Sequence, residues 1–150
     1  MEKKRKIIPP VYLLICLVLM WLMQLFIPVY QYSHPPFAYL GIISVFLGIS
    51  MAAISASMFK RVGTGIEPFD EATTLVTIGF YRFTRNPMYM GMFLMLLGVA
   101  FLMGGIGALL PLPIFVLIIR NNFVLGEECF LEVAFGQRYL DYKSEVRRWI

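Results

Sequence analysis

Charge is almost absent from two long parts of this 150-residue chain. No Asp, Glu, Lys or Arg occurs between Lys6 and Lys60, and none occurs between Arg85 and Arg120. Charged residues make up only 15% of the chain, whereas they are about a quarter of a soluble domain. Hydrophobic residues reach 59%, and the mean hydropathy is +0.76. This composition excludes an ordinary soluble domain and predicts an integral membrane protein.

Other scarce residues exclude several kinds of site. The single histidine, His34, lies in a predicted turn away from any candidate nucleophile, which argues against a hydrolytic triad. Cys16 falls in a predicted helix and Cys129 on the polar side of the chain, so we expect no disulfide. No grouping of His, Cys and carboxylates has metal-ligand spacing, and no glycine-rich nucleotide motif occurs. We therefore predict neither a metal site nor a Rossmann fold.

The uncharged stretches are long enough for four spans, since a membrane helix needs about 20 apolar residues. The chain is predicted to be one all-α membrane domain, residues 1–150, with turns at Tyr30–Pro36 and at Gly104-Gly105. We expect a kink or an unwound turn at Pro111 and Pro113, which fall inside the fourth span. The predicted spans are Pro10–Val29, Phe37–Met58, Pro87–Met103 and Ile106–Val124.

Two further patterns concern helix packing. Small residues recur at three- and four-residue steps in the second span, which is typical of close helix contact in lipid. Apolar residues recur with helical period after Gly126, and Gly136 is predicted to divide that tail into two helices. The tail is then an interfacial helix or a lid over a pocket. The small stripe comprises Gly41, Ser44, Gly48, Ala52, Ser55 and Ala56; the tail positions are Leu131, Phe135, Tyr139, Tyr142, Val146 and Trp149.

The basic residues predict the orientation. They lie before the first span, between the second and third, and from the end of the fourth onward, so both termini and the central loop are predicted to be cytoplasmic. In a bacterium the membrane would be the inner one. Attraction to anionic lipid accounts for the net charge of +4 without a nucleic acid. The stretch 29–32 offers no small-x-small cleavage site, so the first helix is expected to be retained.

The sequence Arg85-Asn86-Pro87 admits two interpretations. Asn is a favourable N-cap and Pro suits the first helical position, so these residues start the third helix. Alternatively, Arg82 and Arg85 share a face and hold a carboxylate or phosphate at that helix start. Both interpretations stay open at this point.

The acidic pair Glu127 and Glu128 follows the fourth span directly, near Arg120. Acids so close to lipid are costly unless they meet cations or donors. Neighbouring helical residues diverge by about 100°, so one acid is predicted to bind a ligand while the other pairs with an arginine. Basic and acidic groups at one membrane boundary suit a zwitterionic ligand that arrives from water.

Two blocks, "LVTIGFYRFTRNPMYMG" and "EECFLEVAFGQRYLDYKSEV", together resemble the isoprenylcysteine carboxyl methyltransferase and phospholipid methyltransferase superfamily. The resemblance covers about half the chain, from Thr73 onward, and implies an S-adenosylmethionine site in residues 73–150. Each block alone is weak, and the pair around an apolar hairpin is fairly specific. By position, the resemblance implies cofactor contacts at Thr73, Thr74, Leu75, Val76, Tyr81, Arg85, Asn86, Pro87, Met88, Tyr89, Glu127 and Glu128.

Two positions depart from the family pattern. Asn86 stands where the family has histidine, and since it cannot exchange a proton near neutral pH it is expected to bind rather than to catalyse. Phe123 stands where the isoprenylcysteine enzymes have an arginine for the substrate carboxylate, and Arg120 could replace it. The implied acceptor is a lipid-like or small hydrophobic molecule, with an isoprenylcysteine carboxylate as one option. The catalytic group, the atom methylated and the oligomeric state stay open.

Two alternatives remain. A membrane reductase of the sterol-reductase type would bind NADPH, with phosphate contacts from Arg82, Arg85, Arg147 and Arg148. A non-catalytic membrane subunit would explain the small-residue stripe but not the two polar blocks. Comparing NADPH with S-adenosylhomocysteine in one binding assay separates these alternatives.

Overall fold

The computed structural model describes residues 8–26, 35–62 and 74–150. Its described part is built of helices, which confirms the predicted all-α membrane bundle. A 3₁₀ turn at Gly79–Arg82 precedes α3, and another at Ile106–Leu109 precedes α4. The α-helices are α1 (Pro9–Phe26), α2 (Pro35–Val62), α3 (Pro87–Met103), α4 (Pro111–Ile119), α5 (Leu125–Phe135) and α6 (Gln137–Glu145).

Three helical stretches are long and apolar enough to cross a membrane, namely Pro9–Phe26, Pro36–Phe59 and Ile106–Phe135, and α3 is a shorter apolar helix beside them. The third predicted span matches α3 at both ends. Residues 27–29 of the first span and 30–34 of the following turn lie outside the described residues. The prediction that Pro35 and Pro36 belong to that turn is wrong, because both start α2, where proline is tolerated in the first turn.

The turn between the third and fourth spans forms as predicted. Gly104 ends α3 with φ of +69°, a left-handed conformation that glycine adopts without strain. The backbone beyond it is a 3₁₀ turn, and α4 begins only at Pro111. The expected irregularity in the fourth span therefore precedes the prolines, since Pro111 fits the first turn of a helix better than its interior.

Helix α2 packs along α3 through glycines on both sides. A Cβ atom placed on Gly48 would lie 2.5 Å from the carbonyl oxygen of Gly91, and one on Gly41 would lie 2.8 Å from that of Gly98. The hydroxyl of Ser44 donates to the Leu94 carbonyl across 2.8 Å. The small stripe is therefore a packing surface, as predicted, and it allows the two backbones to approach closely in lipid.

The remaining packing forms one apolar core. Helix α1 contacts α3 and α4, and α3 also contacts α4. Met20 of α1, Leu96 of α3 and Ile119 of α4 are fully buried there. The outer faces of α1 and α2 expose large apolar side chains such as Trp21 and Phe46, which is expected where lipid replaces water as solvent.

Helix α4 does not simply end where α5 begins. Residues Arg120–Val124 form a π-helical turn between the two, so the chain continues in one direction with a wider turn in its middle. Gly136, with φ of +53°, then separates α5 from α6, as predicted. Helix α6 folds back so that Tyr139, Tyr142 and Val146 are buried with Leu131 and Phe135 packed against them.

Candidate functional site

Two polar stretches that are distant in sequence meet at one end of the bundle. The hydroxyl of Tyr89, in the first turn of α3, donates to Oε1 of Glu127 on α5 across 2.6 Å. Arg85, just before α3, lies 3.4 Å from Oε1 of Glu128. The chain's C-terminal residues cross the same place, because the backbone N–H of Arg85 donates to the carbonyl of Arg147. These contacts define a single polar site.

The start of α3 is built as its sequence predicts, with one difference. Asn86 occupies the N-cap position and Pro87 follows at the first helical position. The Asn86 side chain, however, makes no capping bond within the helix. Its amide nitrogen donates instead to the carbonyl of Arg148 across 3.0 Å. The buried amide therefore links α3 to the C-terminal segment.

The two acids of α5 differ sharply in their surroundings. Glu128 is only 7% exposed, and its two oxygens accept from Nε and Nη2 of Arg148 at 2.7 and 2.8 Å. Arg85 adds a second cation to the same carboxylate. Glu127 is half-buried and accepts only from Tyr89. Among the residues that the structure describes, no Lys or Arg forms an ion pair with Glu127.

Arg85 has an unused donor. Its side chain is 8% exposed, and its Nη1 donates to the Tyr139 hydroxyl across 3.4 Å. Its Nε is buried without a hydrogen-bond partner in the described part of the chain. A buried donor left unpaired is costly. The site therefore offers one free N–H on a cation and one acid without a cation.

Tyrosines form the base of the site. The Tyr142 hydroxyl donates to the Tyr81 carbonyl across 2.6 Å, and Phe59 packs edge-on against the Tyr81 ring at 5.5 Å. Burial raises the pKa of Tyr81 and of Tyr142 well above the ordinary value, so both phenols stay protonated near neutral pH. The hydrogen bond to Glu128 raises the pKa of Arg148, which therefore stays a cation.

An apolar groove adjoins the polar site through Tyr89. Its volume is about 210 Å³, and its surface is almost entirely apolar. Trp149 and Ile150, from the C-terminal segment, complete one wall. The other lining residues come from α3 and α4: Tyr89, Met90, Phe93, Phe115, Val116 and Ile119. The combination provides a polar pocket beside a slot for a hydrocarbon group.

The predicted site residues are distributed unevenly around this place. Arg85, Asn86, Tyr89, Glu127 and Glu128 come together, and Pro87 and Met88 lie between them in the chain. Thr73 lies outside the described residues. Thr74 is exposed, Leu75 packs against the Tyr139 cluster, and Val76 and Tyr81 are buried.

The two weak substrate candidates lie apart from these contacts. Arg120 is exposed and forms no ion pair within residues 74–150 or the other described ranges, so Glu128 takes its cations from Arg148 and Arg85 instead. Phe123 is 1% exposed and packs between Tyr12 and Tyr89, with ring centres 5.7 and 6.3 Å away. It reaches the site only through the ring of Tyr89.

Arg148 is the residue that the sequence did not reveal in this role. Its pairing with Glu128 spans 20 positions and two helix ends, so no local spacing signals it. The sequence suggested Arg148 only as a phosphate contact. The one available signal was the excess of acid at 127–128 with too few neighbouring cations to balance it.

Fold and site together define a membrane-embedded helical protein with a polar pocket at one end of the bundle. The phospholipid methyltransferase family model matches residues 36–138, more than half of the chain, and the chain therefore belongs to the phospholipid methyltransferase family. This confirms the resemblance drawn from the two sequence blocks and places the chain among membrane methyltransferases.

Two relatives agree with this assignment. An uncharacterized protein of Haemophilus influenzae is 40% identical over 63 residues, which are 42% of this chain and all of that protein. The protein-S-isoprenylcysteine O-methyltransferase of Schizosaccharomyces pombe is 32% identical over 72 residues, which are 48% of this chain. The match spans only 30% of that enzyme's length. No solved structure matches the chain.

Proposed function

We propose that this protein transfers a methyl group from S-adenosylmethionine to a lipid-like or small hydrophobic acceptor at the cytoplasmic surface of the membrane. The observation that carries the proposal is the contrast between the two acids of α5. Glu128 is neutralised by Arg148 and Arg85, whereas Glu127 has only the Tyr89 hydroxyl. An acid without a cation, held in place by a phenol, suits a ligand that carries an ammonium group.

The amino-acid part of S-adenosylmethionine fits the two unused groups of the site. Glu127 is available to accept from its ammonium, and the buried Nε of Arg85 is available to donate to its carboxylate. Asn86 and Tyr89 would hold the same ligand through their positions at the start of α3. The predicted contacts from Thr73 to Val76 and at Tyr81 remain part of the proposal, within a cofactor half that spans residues 73–150.

S-adenosylmethionine supplies an electrophilic methyl group on a sulfonium, whose charge is lost as the methyl is transferred. The protein's part is alignment and exclusion of water, which needs no obligatory base when the acceptor is already ionised. The apolar groove beside Tyr89 would hold the hydrocarbon part of the acceptor. An isoprenylcysteine carboxylate remains one acceptor of this kind, although Phe123 and the exposed Arg120 offer it no buried cation.

The reductase alternative has less support. It would use Arg148 for a cofactor phosphate, but that guanidinium already holds both oxygens of Glu128. Freeing it would leave a buried carboxylate with a weaker partner, which is strongly unfavourable. A non-catalytic role leaves the unpaired Glu127 without a purpose.

A ligand-dependent thermal shift tests the proposal. S-adenosylhomocysteine is expected to raise the melting temperature of the detergent-solubilised protein, because a ligand that binds only the folded state stabilises it. Glu127→Gln should abolish the shift. Glu132→Gln is the matched control, since it neutralises an acid on the same helix that pairs with Lys143 outside the site. No shift at saturating S-adenosylhomocysteine in the parent protein would refute the proposal.

The acceptor is then found by chemistry. The protein is incubated with S-adenosylmethionine carrying a labelled methyl group and with a membrane lipid extract. Label should enter an apolar product with the parent protein and with Glu132→Gln, and should not enter it with Glu127→Gln.

A further inference from the structure

The C-terminal residues 146–150, here called the C-terminal strap, cross the polar site instead of continuing α6. Val146 has extended backbone, with φ of −114° and ψ of 128°. The carbonyl of Arg148 accepts from the Thr84 hydroxyl at 3.1 Å and from the Asn86 amide at 3.0 Å. The carbonyl of Arg147 accepts from the backbone N–H of Arg85 at 3.0 Å. The strap is thus attached to the start of α3 by three hydrogen bonds.

The side chain of Arg148 makes a second attachment on the other side of the site. Its guanidinium binds both oxygens of Glu128 at 2.7 and 2.8 Å, the forked geometry that gives the strongest arginine–carboxylate pairs. One residue therefore joins the start of α3, through its carbonyl, to α5, through its side chain. No other described residue bridges these two elements in that way.

The next residue in the strap carries the connection to the apolar groove. Trp149 packs against the core and forms part of the groove wall. Because Trp149 follows Arg148 directly, its place depends on the attachments of Arg148. The polar site and the groove are thereby held in one arrangement.

We propose that Arg148 is the positioning residue of this site; this inference rests on the methyltransferase function proposed above. By neutralising Glu128, Arg148 leaves Glu127 as the acid available to a cationic ligand. Through its carbonyl it orients the Asn86 amide, and through the strap it keeps Trp149 on the groove. Arg148 acts through these neighbours and does not itself contact the ligand.

Loss of the guanidinium has a defined consequence. In Arg148→Gln, the buried Glu128 retains only Arg85, which lies 3.4 Å away. Arg85 is then drawn toward Glu128 and away from the position in which its Nε is free. The strap loses its charged attachment, so the groove wall and the start of α3 both loosen.

The first experiment needs no ligand. The chain has two tryptophans, Trp21 and Trp149, and Trp21 is exposed on α1. In a Trp21→Phe background, Trp149 is the only tryptophan, and its fluorescence reports the strap. Arg148→Gln should shift this emission to longer wavelength and increase its quenching by acrylamide. Arg138→Gln, the same change at an exposed arginine of α6, should do neither.

The second experiment measures the ligand site. Arg148→Gln should weaken S-adenosylhomocysteine binding roughly tenfold or more, the scale of a lost charged hydrogen bond. The KM for S-adenosylmethionine should rise in parallel, with a smaller change in kcat. Arg148→Lys keeps the charge without the fork and should be intermediate. The double variant Glu128→Gln/Arg148→Gln removes the unpaired charge and should recover part of the affinity, which a general loss of stability would not do.

The outcomes separate the two proposals. If the parent protein does not bind S-adenosylhomocysteine, the proposed function fails, whereas the change in Trp149 quenching still tests the strap. Parent-like quenching together with parent-like affinity in Arg148→Gln would overturn the positioning role. If Arg148→Gln does not fold, Arg148→Lys and the double variant decide between the same outcomes, because both avoid an unpaired buried carboxylate.

Discussion

The hydroxyl of Tyr89 and the carboxylate of Glu127 lie 2.6 Å apart, although 38 positions separate them in the chain. Tyr89 also lines the apolar groove, so this one contact stands between the polar pocket and the hydrocarbon slot. A methyl donor bound by Glu127 and an acceptor bound in the groove would meet beside this phenol. The first two predictions test its two sides.

Tyr89→Phe removes the hydrogen bond to Glu127 and keeps the ring in the core. Affinity for S-adenosylhomocysteine should fall about tenfold, since a hydrogen bond to a charged group is worth about 1.5–3 kcal/mol. The measurement is a titration of the purified protein with the ligand. Tyr39→Phe, at an exposed tyrosine of α2, is the control and should bind normally. Equal affinity in the two variants would mean that Tyr89 does not orient Glu127.

Val116→Trp should block the acceptor without affecting the donor. Val116 lines the groove, and an indole there would occupy much of its volume of about 210 Å³. Methyl transfer to an apolar acceptor should fall strongly, while the thermal shift with S-adenosylhomocysteine is retained. Leu117→Trp places the same ring on the exposed face of the same helix and should retain both activities. Normal transfer by Val116→Trp would show that the acceptor binds elsewhere.

Gly48→Ala should destabilise the fold by separating α2 from α3. The added Cβ would lie 2.5 Å from the Gly91 carbonyl oxygen, and backbone on both sides cannot yield cheaply. We expect a loss of about 1–3 kcal/mol, the usual cost of overpacking. Thermal unfolding in detergent should show a lower midpoint. Ala53→Val adds two carbons on the exposed side of α2 and should leave the midpoint unchanged.

The buried phenol of Tyr142 predicts a loss of stability in alkali. Burial raises its pKa above the ordinary value of 10.0, so the folded state holds its proton more tightly than the unfolded state does. The resulting stabilisation is complete below about pH 10 and is lost as pH rises beyond it. The melting temperature should therefore decline above pH 10, and less steeply in Tyr142→Phe. That variant should also lose about 1 kcal/mol at neutral pH, because the bond to the Tyr81 carbonyl is gone.

Much of the fold could be predicted because its signals are local. The absence of charge marked the spans, Gly104 marked a turn, and Gly136 marked the break between α5 and α6. The site was predictable in part, since Asn86-Pro87 reads as a helix start and the acids at 127–128 are too close to lipid to be idle. Residues 84–86 and the C-terminal strap meet through backbone carbonyls, which leave no trace in residue type. For the same reason the role of Arg148 could not be predicted.

The π-helical turn at Arg120–Val124 has a consequence for how the length of this chain can vary. Removing one residue there would convert the wide turn into an ordinary one and rotate everything beyond it by about 100° about the helix axis. Glu127 would then face away from Tyr89, although the apolar stretch would still be long enough to cross the bilayer. The last span is thus tolerant in length but fixed in phase. Single-residue deletions between 120 and 124 should give proteins that insert normally into the membrane and bind nothing.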